Sequence, residues 1–181
     1  MDKVSDSAGF VAGTLVGTKE GLKPIEEIRV GDWVLSYPDD QTPPVRKKRE
    51  DEYFYRQVTK TFVTYDQLVS YIEVDAPGRK HEEWIGVTPN HPIYESHSGF
   101  RPLGATPQHP DYQEPRSGGW RPASQMKLGS LLTRSNYGHA LVRRVRHEVE
   151  RVCVYNLEVD EFHTYFVGET QIWVHNKTEA E

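Results

Sequence analysis

An all-β fold made of two related halves is the architecture this sequence predicts. The first observation is a series of short Val/Ile/Thr/Tyr/Phe-rich runs with partial alternation, separated by Gly, Pro and Asp turns. The second is an internal repeat. Residues 21–35 align without gaps on residues 119–133, so that Gly21 meets Gly119, Pro24 meets Pro122, Ile28 meets Met126 and Gly31 meets Gly129. The third is a looser echo of residues 71–75 in residues 156–160. Two copies of a strand, proline turn and strand unit imply an approximate two-fold axis, with any site where the halves meet. At 181 residues the chain fits one domain with a sizeable core.

Taken in order, residues 10–16 form a short apolar, β-branched run that ends before a turn at Lys19-Glu20-Gly21. Pro24 opens a single helical turn through Ile28, and Gly31-Asp32 leads into a strand over 33–36. Residues 38–52, rich in Pro, Asp and charge, read as a loop. Three strands follow, at 53–55, 58–64 and 68–74, and a turn at 75–78 leads to another at 84–88. Pro89-Asn90-His91-Pro92 stops that strand. Residues 95–118, made of Pro, Gly, Ser, His and Arg with little periodicity, are expected to be an inserted surface loop. The chain closes with two apolar strands, 154–159 and 172–174, joined by a short turn through His163 and ending in His175-Asn176.

Bulk properties exclude several classes of function. A net charge of −5 and a pI near 5.9 argue against non-specific nucleic-acid binding, and the basic run 46–49 is followed at once by Glu50, Asp51 and Glu52. Cys153, the single cysteine, allows no disulfide within the chain; flanked by Val152 and Val154, it reads as a buried strand residue. No apolar run of about 18 residues offers a membrane span, and no signal-peptide pattern is present. His81, His91, His97 and His109 show neither Cys-x-x-Cys nor His-x-x-x-His spacing, so neither a metal nor another cofactor is expected. Trp33, Trp84, Trp120 and Trp173 read as core and rim packing. The polar ends, 1–3 and 177–181, suit a domain excised from a longer protein, and the domain is expected to be a monomer.

Asn176 is the residue with unusual chemistry. Its side-chain amide lies within five-ring reach of its own carbonyl, so attack would give a succinimide and sever the chain before Lys177. The amide is a poor nucleophile and the departing amine a poor leaving group. The step therefore needs a base or polarising donor and a proton source held in near-attack geometry. His175 is adjacent, and His163 returns across the hairpin; both ionise near neutrality in their unperturbed state. His163 is expected to polarise the Asn176 amide, and His175 to hydrogen-bond the scissile carbonyl or protonate the amine of Lys177. The plainer alternatives are a polar strand end for Asn176 and a satisfied core histidine for His163. Thr88 and His91 also fit a simple cap of the turn before Pro92.

Residues 9–16 together with 21–32 resemble the opening of a Hint domain, the module shared by hedgehog proteins and inteins. Residues 87–92 resemble its Thr-x-x-His motif through Thr88 and His91, and residues 154–167 with 174–176 resemble its closing motifs. The wording is most similar to bacterial pretoxin-Hint domains, which lie upstream of a toxin module in polymorphic toxins. The resemblance spans 9–176, leaving 1–8 and 177–181 as flanking segments. It implies a horseshoe-like fold with adjacent termini, flanking domains as covalent partners and a downstream toxin or effector. It also implies a place in a secreted or cell-surface bacterial protein. In active relatives a cysteine or serine opens the domain and attacks the preceding carbonyl. The Thr-x-x-His pair strains and protonates that bond, and the terminal asparagine cyclises with help from two histidines.

Three positions depart from the pattern. Gly9 stands where the nucleophile belongs, so no acyl shift can occur there. Lys177 replaces the Cys, Ser or Thr that would accept a ligation, and Asn156 stands where many inteins carry an aspartate. Asn156 donates and accepts hydrogen bonds but cannot serve as a base. Only the C-terminal half of the chemistry is complete. The sequence therefore reads as a domain that cleaves after Asn176, or alternatively as a catalytically silent Hint-fold scaffold.

Overall fold

The computed structural model describes residues 7–43, 54–98, 108, 110, 116–135 and 138–176, with 97, 98 and 116 as backbone only. Among these residues there is no α-helix. Twelve strands form one sheet: β1 (Phe10–Val11), β2 (Leu15–Thr18), β3 (Gly21–Pro24), β4 (Trp33–Ser36), β5 (Phe54–Asp75), β6 (Glu83–Val87), β7 (Pro92–Ser98), β8 (Arg116–Pro122), β9 (Leu131–Thr133), β10 (His139–Val159), β11 (Thr164–Val167) and β12 (Ile172–His175). The sheet runs β11-β12-β7-β9-β10-β1-β6-β5-β4-β2-β3 and curls on itself through the further pairings β11–β2 and β10–β5. A curled ring of antiparallel strands is the horseshoe expected of this sequence.

The repeat is real in three dimensions. Pro24 and Pro122 each open a one-turn 3₁₀ segment, Ile25–Glu27 and Ala123–Gln125. The first residue of each turn takes its amide bond from the other side of the half: Ile25 N–H donates to Thr14 O (2.8 Å) and Ala123 N–H to His91 O (2.9 Å). Gly31 and Gly129 then adopt φ of 94° and 93°, a left-handed geometry that glycine takes without a Cβ clash. Their N–H groups donate to Val58 O (2.8 Å) and Val142 O (3.1 Å), at the starts of the two long strands. The apolar pairs Ile25/Ala123 and Ile28/Met126 are all buried and join one core cluster with Phe10, Val87, Leu132, Leu157 and Tyr165. Each half alone would leave one face of its strands in water. Packing the two copies together removes that face, which is the main driving force available to a fold built of strands.

Several elements differ from the sequence reading. The three strands expected over 53–74 are one strand of 22 residues, β5, antiparallel to the 21-residue β10 along most of its length. Asp66, at φ 55°, and the register shifts between Arg146 and Glu150 and between Val152 and Val154 absorb the polar interruptions that look like turns in sequence. Residues 10–16 are divided between β1 and β2 by a turn with Gly13 at φ 85°. Pairing also extends into both ends of the expected 95–118 loop. Glu95 faces Gly119 and His97 faces Ser117 across β7 and β8, because a polar, glycine-rich backbone still satisfies a ladder. The central residues of that stretch, and His109, lie outside the described residues, as do the basic run 46–49 and the expected strand start at Tyr53. Finally, β11 intervenes between the two closing strands and pairs with β12, Thr164 opposite His175. Trp173 is fully buried, whereas Trp33 and Trp84 are exposed on the rim, and Cys153 is half-buried in β10. No described helix is long and apolar enough to cross a membrane.

Candidate active site

The site lies where β1, the turn after β6 and the end of β12 converge. Gly9 is clamped in both directions by Thr88: its N–H donates to Thr88 Oγ1 at 3.0 Å, and Thr88 N–H donates to Gly9 O at 3.0 Å. The Thr88 hydroxyl thus accepts from the nitrogen of the Ala8–Gly9 peptide, while three residues on, His91 faces the other terminus. Its Nε2 lies 2.9 Å from His175 O. The turn over 88–91 therefore ties Gly9 at the start of β1 to His175 at the end of β12.

His91 is fully buried and packs its ring edge-on against Phe10, with centroids 4.4 Å apart. Burial pushes its pKa down to about 3, so the ring is neutral near neutral pH. A neutral ring bonded to a carbonyl must place its hydrogen on Nε2, leaving Nδ1 bare; that atom is buried without a partner among the described residues. The ring does not reach the Ala8–Gly9 peptide through a hydrogen bond: it holds the carbonyl one residue before Asn176.

Asn176 is 3 % exposed, and its backbone N–H donates to His163 O at 2.8 Å. Its Oδ1 is buried without a described partner. His175 Nδ1 lies 3.1 Å from Asn176 O, the carbonyl of the bond to Lys177. His163 serves the site through its backbone, at φ 59°, a conformation costly for a residue with a Cβ and retained here by the turn into β11. Its ring is exposed and stacks on His175 with centroids 6.4 Å apart. The imidazoles bonded to the end of β12 are accordingly His175 and His91, and His163 supplies a carbonyl. Lys177 lies outside the described residues.

Asn156 is buried at the base of the site. Its Oδ1 accepts from Leu157 N–H (2.8 Å) and from Tyr165 OH (2.6 Å). Burial holds the Tyr165 phenol well above its usual range, so it stays a donor. An aspartate at 156 could accept both bonds as well; the asparagine does so without bringing a charge into the core.

Asp39, which has no sequence signal, and Trp120, which the sequence marks only as packing, complete the environment. Asp39, just after β4, places Oδ2 at 2.9 Å from His175 Nε2, and Trp120 Nε1–H donates to Asp39 O at 3.0 Å. Asp39 comes from a stretch whose Pro and charge content reads as loop and Trp120 from the start of the second repeat; they lie 136 and 55 residues from His175 along the chain, beyond the reach of any local pattern. Gly9 carries a steric constraint of its own. A Cβ there would sit 2.8 Å from Tyr155 O and 3.0 Å from Val154 Cγ2. Among the described residues, no group of three or more His, Cys, Asp or Glu is placed to hold a metal ion.

This curled, two-fold all-β ring, with a Thr-x-x-His turn beside a terminal His-Asn pair, has the Hint fold and is similar to the intein-like domains of that superfamily. More particularly, residues 98–177 match the pretoxin Hint domain family. Among solved structures, the bacterial intein-like domain from Clostridium thermocellum is 27% identical with a TM-score of 0.65, over 93% of this chain and 98% of that one. The gp41-1 intein superposes at 0.61 with 18% identity, over 94% and 99% of the two chains. A DnaB intein from Synechocystis sp. PCC 6803 superposes at 0.63 with 15% identity, over 95% and 100%. No curated protein matches the chain.

Proposed function

We propose that this Hint domain processes itself at one junction only, cleaving the Asn176–Lys177 bond by asparagine cyclisation and releasing whatever follows. In the proposed reaction Asn176 Nδ2 bonds to the Asn176 carbonyl carbon and that carbon's bond to the Lys177 nitrogen breaks. The proton lost from Nδ2 is balanced by one gained by the departing amine. No water is consumed, and the upstream product ends in a succinimide. The observation that carries the reading is the 3.1 Å approach of His175 Nδ1 to the scissile carbonyl beside a buried Asn176. A protonated Nδ1 polarises that carbonyl and stabilises the oxygen as charge develops on it. His91 and His163 O fix the strand end by its backbone on either side. At the other junction Thr88 faces a residue with no nucleophile, so no acyl shift takes place there.

The pretoxin match ends at residue 177, just past this bond, which favours a downstream toxin or effector as the released partner. Such a partner would place the parent protein among secreted or surface toxins. The domain itself, 9–176, would act as a monomer without a cofactor. A silent scaffold is the second reading, favoured by the tight packing around Gly9. Incubating the domain with a C-terminal fusion and weighing the products separates the two: self-processing yields an upstream fragment one water lighter than the hydrolysis product, and the scaffold yields an uncut fusion.

A further inference from the structure

We infer that Asp39 is a positioning residue that holds His175 in its doubly protonated form with Nδ1–H aimed at the Asn176 carbonyl. Both ring nitrogens of His175 face oxygen: Nδ1 meets Asn176 O at 3.1 Å, and Nε2 meets Asp39 Oδ2 at 2.9 Å. A neutral imidazole has one N–H and one lone pair, so one of those oxygens would confront a lone pair. Only the imidazolium donates to both. A carboxylate on the far side stabilises that form and fixes the plane of the ring, since a bond at Nε2 and a bond at Nδ1 leave χ2 little freedom.

The surroundings of His175 support the assignment. Asp39 is anchored independently of the histidine by the Trp120 Nε1–H bond to its main-chain carbonyl. Trp120 also packs T-shaped with the His175 ring, with centroids 5.1 Å apart and planes at 84°. The indole has a donor and no in-plane acceptor, and its Nε1–H is already bonded to Asp39 O, so the acceptor facing Nε2 is Asp39 Oδ2. From the turn before β11, His163 stacks at 6.4 Å and forms no hydrogen bond with the ring. From the turn after β6, His91 meets the His175 main chain and is neutral, since its pKa is about 3. Asp39 is thus the one anion bonded to His175 among the described residues. The pair 39–175 links the loop after β4, inside the first half, to the last strand of the second, so the proton arrangement is available only once the ring of strands has closed.

The kinetic consequence rests on the cyclisation reading; the contact itself does not. Two measurements on the full chain separate them. In a C-terminal fusion, cleavage is timed between about pH 5.5 and about pH 8 for the wild type, Asp39→Asn and Asp39→Glu, a range over which an ordinary imidazole changes charge. The asparagine retains an acceptor and the size of the side chain but loses the charge. It should cleave roughly 10- to 100-fold more slowly at the alkaline end, with the deficit shrinking as acid supplies the second proton; glutamate should recover part of the rate. A deficit equal at every pH, or no deficit, overturns the assignment. In an Asn176→Ala background, which cannot cyclise but keeps the backbone carbonyl, ¹⁵N imidazole shifts report the His175 protons directly. Asp39→Asn should lower the doubly protonated fraction at neutral pH, and an unchanged fraction overturns the assignment whether or not any variant cleaves. If the wild-type fusion stays intact while the shifts respond to Asp39, the positioning role stands and the cyclisation reading falls.

Discussion

Adding one methyl group at Gly9 should unsettle the junction between the two halves. A Cβ there meets Tyr155 O at 2.8 Å, Tyr155 C at 3.1 Å and Val154 Cγ2 at 3.0 Å. Two of these atoms are backbone of β10, where Phe10 is paired with Tyr155 and Val11 with Val154, so they cannot swing aside as a flexible side chain would. Relief requires β1 to move away from β10. That motion pulls against the two bonds to Thr88, each 3.0 Å long, and against the buried Phe10 ring on His91. Overpacking of a close-packed interior costs about 1–3 kcal/mol. For a domain of this size each kcal/mol lowers Tm by roughly 2–4 °C, so Gly9→Ala should melt about 2–12 °C below the wild type in a circular-dichroism scan. Gly9→Cys should lose at least as much stability. An alanine variant that melts with the wild type would refute the close approach, and with it the claim that glycine here is built into the packing.

Other predictions follow from the same geometry. His175→Ala removes the ring nitrogen 3.1 Å from the Asn176 carbonyl and, on the proposed mechanism, should slow C-terminal cleavage about 10²- to 10³-fold in the fusion assay; an undiminished rate would remove His175 from the mechanism. Thr88→Val keeps the shape but leaves the Gly9 N–H buried without an acceptor, a loss of about 1–3 kcal/mol measurable by urea unfolding, while Thr88→Ser should retain most of the stability. For His91, the folded pKa lies below the unfolded value of 6.5, so the unfolded chain binds the proton first as pH falls. Its contribution is therefore fully present above about pH 6.5 and is lost between there and about pH 3, at up to about 1.4 kcal/mol per pH unit. His91→Gln should flatten that part of the stability profile; an identical slope in both proteins would contradict the buried neutral ring.

Much of the fold was legible because its signals are local or repeated. Proline before a helical turn and glycine after it recur 98 positions apart and produce two superimposable hydrogen-bond patterns, down to φ of 94° and 93° at Gly31 and Gly129. The 22-residue β5 was not legible, because Asp66 and Gln67 look like a turn until β10 supplies a partner across the interruption. At the site, Asn176, His175 and His163 could be named from the chemistry of a terminal asparagine, and Thr88 and His91 from the resemblance to a Hint motif; the structure gathers them around Gly9 and the end of β12. Their division of labour could not be read in advance. Whether His163 presents its ring or its carbonyl depends on a left-handed backbone at the entrance to β11, and whether His91 faces one terminus or the other depends on which strand ends beside it. Asp39 had no signal at all, being one of three aspartates in the polar stretch 38–52, and its value lies in a contact made 136 residues later.

The central claim is that the last asparagine of the domain is its own scissors, and the mass of the upstream fragment tests it most directly. A wild-type fusion carrying extra residues beyond Glu181 should release a fragment ending at Asn176 that is one water lighter than hydrolysis would give, and Asn176→Ala should release none. An uncut wild-type fusion, a fragment that has the hydrolytic mass from the earliest time points, before imide ring opening adds water, or cleavage that persists in Asn176→Ala would each contradict it.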